Sequence, residues 1–208
     1  MGWKSNKMIA IIDYDAGNLK SVEKALVSLG EETIITRNFA EILSADKVIL
    51  PGVGAFGDAM AQLKKYELDK VVREVTTKET PLLGICLGLQ LMFESSEETP
   101  GVEGLHLLDG HIHRIPDAEG IKIPHIGWNS LDFPKESRLF KGISEQAYVY
   151  FVHSYYLKAA DPGIVAATTE YSTHIHAAVE SGNIFACQFH PEKSSAVGLQ
   201  ILKNFANL

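Results

Sequence analysis

The sequence is short of cysteine, of positive charge and of long apolar runs, and each shortage removes a class of protein. Its two cysteines, Cys86 and Cys187, stand one in each half of the chain, which is no framework for a disulfide-stapled secreted fold. The polar opening, Met1 to Lys7, carries no secretory signature, so a reducing, cytoplasmic setting is expected. A formal net charge of -7 leaves no broad basic surface to neutralise a phosphate backbone, and nucleic acid is not expected as a partner. Charge or glycine interrupts every apolar run well before membrane-spanning length, so a soluble protein without a membrane segment is expected.

What is present is enough apolar material for a core. With 46% hydrophobic residues over 208 positions, one domain spanning residues 1–208 can fold without disulfides or a structural metal. Apolar runs at Met8 to Ile12, Thr33 to Thr36, Lys47 to Leu50 and Pro81 to Ile85 read as strands. Between and after them, Asn18 to Leu29, Leu68 to Val75 and Leu87 to Phe93 carry helical periodicity, the first stopped by Gly30. This alternation predicts an α/β fold with a mostly parallel central sheet flanked by helices. Beyond about residue 100 short β-like runs (Gly110 to Ile115, Tyr148 to Val152, Gly163 to Thr168, Ala177 to Glu180) predict an additional antiparallel portion. A helix over Ala196 to Phe205 closes the chain.

Pro81-Leu-Leu-Gly-Ile-Cys-Leu-Gly-Leu-Gln90 is a strand entering a helix, with glycines two residues either side of Cys86. Such an elbow accommodates a strained nucleophile at a helix N-terminus, where free amides and the helix dipole favour thiolate, and where the Leu87 amide can face an oxyanion. A core cysteine between two packing glycines is the other reading of these residues alone. Ile184-Phe-Ala-Cys-Gln-Phe-His190 alternates like a strand and runs into Pro191-Glu192. In extended backbone His190 and Glu192 share a face, so the carboxylate can orient the imidazole, while Cys187 falls on the opposite face with Phe185 and Phe189 and packs in the core.

The loop Pro51-Gly-Val-Gly-Ala-Phe-Gly57 satisfies G-x-G-x-x-G. It follows the third strand, whereas the dinucleotide fingerprint follows the first, and Pro51 stiffens its approach. The better use of Gly52 and Gly54 is to bring the backbone close to a substrate, with the Val53 amide as a second oxyanion donor. A plain strand-to-helix turn is the alternative. His111-x-His113 and His174-x-His176 each place two rings on one strand face, but no cysteine or carboxylate cluster completes a metal set, so neither a metal nor another cofactor is expected.

Taken together, Pro51-Gly-Val-Gly54, Gly84-Ile-Cys-Leu-Gly-Leu-Gln90 and Phe189-His-Pro-Glu192 resemble the class I, or triad, glutamine amidotransferases in order and spacing. Asp13-Tyr-Asp-Ala-Gly-Asn18, Pro124-His-Ile-Gly-Trp-Asn129, Tyr150-Phe-Val-His-Ser-Tyr155 and Lys193-Ser194 narrow the resemblance to the glutaminase subunits of imidazole glycerol phosphate synthases. The resemblance implies that Cys86, His190 and Glu192 hydrolyse L-glutamine through a thioester, with Gln90 and the backbone of Ser154 and Tyr155 holding its amino-acid end. It also implies a heterodimer with a (βα)8-barrel synthase subunit that takes the ammonia into histidine biosynthesis, with Asn18, Trp128, Tyr150 and Lys193 near the interface. A core Trp and Tyr, a solvated Lys and an Asn helix cap are the ordinary roles for those four. The rival readings are a glutaminase serving another synthase, a partner-free hydrolase of γ-glutamyl compounds, and a non-enzymatic interaction subunit.

Overall fold

Alternate residues of the early strands are buried on opposite faces, and that period of two builds the architecture. The computed structural model describes residues 7–208, so the opening at residues 1–6 lies outside the described residues. The first half runs β1 (Met8–Ile12), α1 (Leu19–Ser28), β2 (Glu32–Thr36), α2 (Phe39–Ser44), β3 (Lys47–Leu50), α3 (Phe56–Lys65), α4 (Leu68–Thr77), β4 (Leu82–Ile85) and α5 (Leu87–Leu91). The second half runs β5 (Ser95–Ser96), β6 (Gly110–Arg114), β7 (His125–Ser130), β8 (Tyr148–His153), β9 (Tyr155–Ala159), β10 (Val165–Tyr171), β11 (Thr173–Ser181), β12 (Ile184–Cys187) and α6 (Ser195–Ala206).

The main sheet has the order β2-β1-β3-β4-β12-β11-β9-β6-β5, with β10 paired to β11, and β7 and β8 form a separate two-stranded ribbon. Pairing is parallel from β2 to β12 and antiparallel among β12, β11, β10, β9 and β6. The expected mixed sheet is therefore observed. Ala10, Ile12, Val48, Leu50 and Leu82 pack on one face beneath α3, α4 and α5. Ile9, Ile11, Ile49, Leu83 and Ile85 pack on the other against Val22 and Leu26 of α1 and Ile201, Leu202 and Phe205 of α6.

Several boundaries differ from the sequence reading. The helix expected to reach Phe93 ends at Leu91. The run expected from Gly163 begins with a 3-10 turn at Pro162–Ile164, and its strand starts at Val165 and continues to Tyr171. The short helix α2, capped by Asn38 accepting from the Glu41 amide at 3.1 Å, was not anticipated. Strands β1, β3, β4 and β12 all present their carboxyl ends to the same edge, the place where open α/β sheets bind ligands.

Candidate active site

The elbow is strained as its glycines imply. Cys86 sits between β4 and α5 at φ 54° and ψ -111°, outside the regions comfortable for a residue with a Cβ. Its own amide donates to the Cys187 carbonyl at 2.8 Å, which holds the turn against β12. Gly88 is required two residues later, because a Cβ there would lie 1.9 Å from the Leu50 carbonyl oxygen. The thiol is 7% exposed and lines a pocket of about 330 Å³ with His190, Gln90, Glu98 and the loop carrying Val53 and Gly54.

His190 and Glu192 do meet, but by a different route from the one alternation gives. β12 stops at Cys187, and Pro191–Lys193 is a 3-10 turn, so Glu192 is not on an extended strand. The turn brings Glu192 Oε1 to 2.7 Å from His190 Nδ1, with the two side chains 0% and 1% exposed. A carboxylate only accepts, so that contact requires a proton on Nδ1. Nε2 makes no hydrogen bond among the described residues and lines the pocket with Cys86. Burial opposes a charge on His190, but the side chains of Cys86 and Glu192 favour the imidazolium more strongly and hold it up at about 9. Ser194 closes the turn: its hydroxyl donates to the His190 carbonyl at 2.6 Å and accepts from the Tyr150 amide at 3.0 Å. The His190 amide donates to the Tyr150 carbonyl at 3.0 Å, so β8 is stitched to the triad through the backbone.

Asn18 occupies the N-cap position of α1 at φ 72°, yet its side chain does not cap the helix. It donates instead to Glu192 Oε1. Cys187 is fully buried with Phe185 and Phe189, and burial pushes its thiol well above the ordinary value.

The oxyanion donors expected at Val53 and Leu87 do not converge in this conformation. The Leu87 amide donates to the Gly52 carbonyl at 3.3 Å. The Gly52–Val53 peptide is trans, so the Val53 N–H points away from the carbonyl that meets Leu87. The loop is pinned from behind by Tyr14, whose buried hydroxyl donates to the Pro51 carbonyl at 2.5 Å. A Cβ on Gly52 would lie 2.3 Å from that hydroxyl. Burial, and then the neighbouring Cys86, push the Tyr14 phenol well above its ordinary value. The glycine loop leads into α3, whose first amides are already occupied: Phe56 donates to Glu98 Oε2 at 2.8 Å and Gly57 to Thr99 Oγ1 at 3.2 Å. A carboxylate thus stands where a dinucleotide phosphate would bind.

At the far side of the pocket Gln90 donates from Nε2 to the Tyr155 carbonyl at 3.1 Å and to Gln188 Oε1 at 3.0 Å. Ser154 and Tyr155 line the same wall, where the Ser154 carbonyl accepts from the Ile115 amide at 2.9 Å. His153 Nδ1 lies 2.8 Å from the Tyr155 carbonyl, and His153 Nε2 lies 3.0 Å from His125 Nδ1. A carbonyl only accepts, so the chain runs in one direction, from His125 through His153 to Tyr155. Burial pushes His125 down to about 4 and His153 down to about 3, so both rings are neutral near pH 7.

Trp128 and Tyr150 are cross-strand partners on the ribbon, ring edge to ring face at 6.1 Å. Trp128 is 50% exposed and is flanked by exposed Ile126 and Tyr148, so it is not the core tryptophan of the ordinary reading. Lys193 is exposed beside the triad turn. The paired histidines meet carboxylates: His113 Nδ1 is 2.9 Å from Glu97, His111 Nε2 is 3.6 Å from Glu94, and His174 contacts Glu170. Among the described residues no group of three or more potential ligands converges, and no helix is long and apolar enough to cross a membrane.

Tyr14, Glu98, His125, His153 and Gln188 were not singled out in the sequence. Tyr14, His125 and His153 lay inside segments that carry the resemblance, and Gln188 had a signal of its own: a polar residue inside an apolar run, two positions before His190. A larger open groove of about 780 Å³ lies around Phe133, Lys135, Arg138 and Lys141. Arg138 there is engaged by Glu180 at 2.7 Å and Lys135 by the Gly163 carbonyl at 2.6 Å, and the Ser137 hydroxyl donates to Glu180 at 2.5 Å.

The profile of the family described as glutamine amidotransferase class-I matches residues 10–208. A Moorella thermoacetica protein named imidazole glycerol phosphate synthase subunit HisH is 52% identical over 200 residues, 96% of this chain and 94% of its own. A protein of the same name from Methanocaldococcus jannaschii is 46% identical over 201 residues, 97% of this chain and 100% of its own. Among solved structures, one described as glutamine amidotransferase superposes with TM-score 0.74 at 19% identity, covering 96% of this chain and 99% of that one. A glutamine amidotransferase from Thermotoga maritima gives TM-score 0.64 at 18% identity, covering 97% of this chain and 83% of that one. At those identities the two structures speak to the fold alone.

Proposed function

The chain belongs to the class I glutamine amidotransferases, and on that premise we propose that it is the glutaminase subunit of an imidazole glycerol phosphate synthase. The observation that carries the chemistry is the elbow thiol of Cys86 sharing a pocket with His190, whose other ring nitrogen is held by buried Glu192. In this reading the Cys86 thiolate attacks the carboxamide carbon of glutamine. The imidazolium of His190 gives its Nε2 proton to the departing nitrogen, which leaves as ammonia and a γ-glutamyl thioester. His190 then takes a proton from the attacking water, and collapse of the second tetrahedral adduct expels the thiolate and releases glutamate. Glu192 holds the ring's orientation and stabilises its charge, as the acid does in other nucleophile-His-acid sets.

The oxyanion requires two donors that the present loop does not supply together. Rotation of the Gly52–Val53 peptide removes the Gly52 carbonyl from the Leu87 amide and turns the Val53 N–H toward the site. One motion then frees one donor and supplies the other. The Gln90 carboxamide and the backbone at Ser154 and Tyr155 bound the amino-acid end of glutamine, and Gly52 and Gly54 let the loop pass close to it.

Free ammonia near neutral pH is largely lost as ammonium, so its consumer must dock beside the pocket. The ribbon carrying Trp128 and Tyr150, with Asn18 and Lys193 beside it, is the proposed docking face. Its occupant in this proposal is a (βα)8-barrel synthase subunit, giving a heterodimer. The chain acts as one glutaminase domain: both hydrophobic clusters pack on one continuous sheet. In the complex, Cys86→Ala is expected to abolish glutamine hydrolysis while leaving partner binding and synthesis from added ammonia intact. Retained hydrolysis in that variant would remove Cys86 as nucleophile.

A further inference from the structure

We infer that Gln188 is a catalytic residue of the proposed glutaminase reaction, its carboxamide N–H facing the sulfur of Cys86 and holding it as thiolate. The inference rests on that functional reading and adds a residue to it. Gln188 is 0% exposed, and its Nε2 lies 3.8 Å from Cys86 Sγ, within hydrogen-bonding reach of sulfur.

The orientation of a carboxamide is ordinarily ambiguous, but here a chain of forced choices fixes it. The Tyr155 carbonyl can only accept, so Gln90 must present Nε2 to it, at 3.1 Å. The second hydrogen on the same nitrogen faces the Gln188 carboxamide at 3.0 Å, so Gln188 must present its oxygen there. Its nitrogen is left facing Cys86. Reversing Gln188 would set two donors against each other and aim a carbonyl oxygen at a thiolate. The Tyr155 carbonyl is itself held by His153 Nδ1 at 2.8 Å, and the Gln188 backbone by its amide on the Ala177 carbonyl at 2.8 Å. Little can rotate.

The surroundings make the contact matter. Gln188 interrupts the buried run Phe185-Ala-Cys-Gln-Phe189, where an apolar side chain would pack without needing partners. Away from water a single N–H donor stabilises an anion far more than it does in solvent. His190 offers its positive charge to the same thiolate, but gives up that charge when it protonates the departing amide nitrogen. The Gln188 donor is neutral and stays in place through both halves of the reaction, including the step that expels the thiolate.

The test reads the thiolate directly in the full-length chain, as the rate of iodoacetamide alkylation of the Cys86 peptide across pH. In Gln188→Met, which keeps length and removes the donor, alkylation at pH 7 should slow by about tenfold, with its pH profile displaced upward. In Gln90→Met, Gln188 is intact but loses the partner that orients it, so a smaller slowing in the same direction is expected. This second variant carries the test if the first does not fold. Alkylation at the wild-type rate and pH profile in a folded Gln188→Met or in Gln90→Met overturns the inference. Alkylation needs no glutamine, so slowed alkylation with no glutamine turnover by the wild-type complex would sink the glutaminase reading and keep the Gln188 contact. Normal wild-type turnover with unaltered alkylation in the variants sinks the Gln188 role alone.

Discussion

Cys86 is held at φ 54° by a turn that tolerates no bulk around it. The Cβ that Gly88→Ala would introduce meets the Leu50 carbonyl oxygen at 1.9 Å, and that oxygen belongs to a central strand that cannot step aside. Gly88→Ala is therefore expected to lower the unfolding free energy by roughly 2–4 kcal/mol, the range of severe steric substitutions. Urea denaturation measures it, and a change of under about 0.5 kcal/mol would contradict the reading. At this scale the sequence was most legible where glycine or alternation constrained one side chain, as at Cys86 and Cys187. It was least legible where a backbone choice decides the outcome. The Gly52 carbonyl, rather than the Val53 amide, meets Leu87, and nothing in Pro51-Gly-Val-Gly54 dictates which way that peptide faces. Glu192 reached His190 although the extended backbone assumed for it is absent, because a 3-10 turn also brings close neighbours together.

The parallel strands of the first half were readable to within a residue or two, since β1, β3 and β4 are apolar runs buried on both faces and β2 is a β-branched run at the sheet edge. On the β7–β8 ribbon, β8 was read from its run at Tyr148 to Val152 but β7 was not, for a physical reason. Its inward positions on β7 are His125, Gly127 and Asn129, while Ile126 and Trp128 face out. The usual alternation is inverted, so the apolar pattern marks an exposed face rather than a core. The inward histidines carry a stability signature. Their folded values, about 4 for His125 and about 3 for His153, lie below the ordinary 6.5. The unfolded chain therefore binds these protons first as pH falls, so the stabilisation is complete above about pH 6.5 and is lost as pH falls toward the folded values. At pH 4.5 the loss should be about 2 kcal/mol per histidine. Replacing His125 and His153 together should flatten the fall in urea midpoint between pH 6.5 and 4.5. A wild-type slope in the double variant would contradict the assignment.

Taken whole, the molecule places a triad, a misaligned oxyanion loop and an exposed aromatic ribbon along one sheet edge. The Tyr150 carbonyl accepts from the His190 amide and the Tyr150 amide donates to the Ser194 hydroxyl, so the ribbon is joined to the turn that carries His190 and Glu192, and in the proposed function a partner on the ribbon bears directly on that turn. With the Leu87 amide occupied by the Gly52 carbonyl, the proposed function implies that the isolated chain is a poor glutaminase and that docking of a consumer for ammonia opens the oxyanion site. In the proposed function, partner docking and glutamine hydrolysis are thereby coupled. The most direct test is the rate of glutamate release by the chain alone, with a (βα)8-barrel synthase subunit, and with that subunit carrying its nucleotide ligand. Release is expected to be slow from the chain alone and to rise by about a hundredfold or more in the liganded complex, the scale associated with an oxyanion donor. Full turnover by the isolated chain, unchanged by the partner, would contradict it.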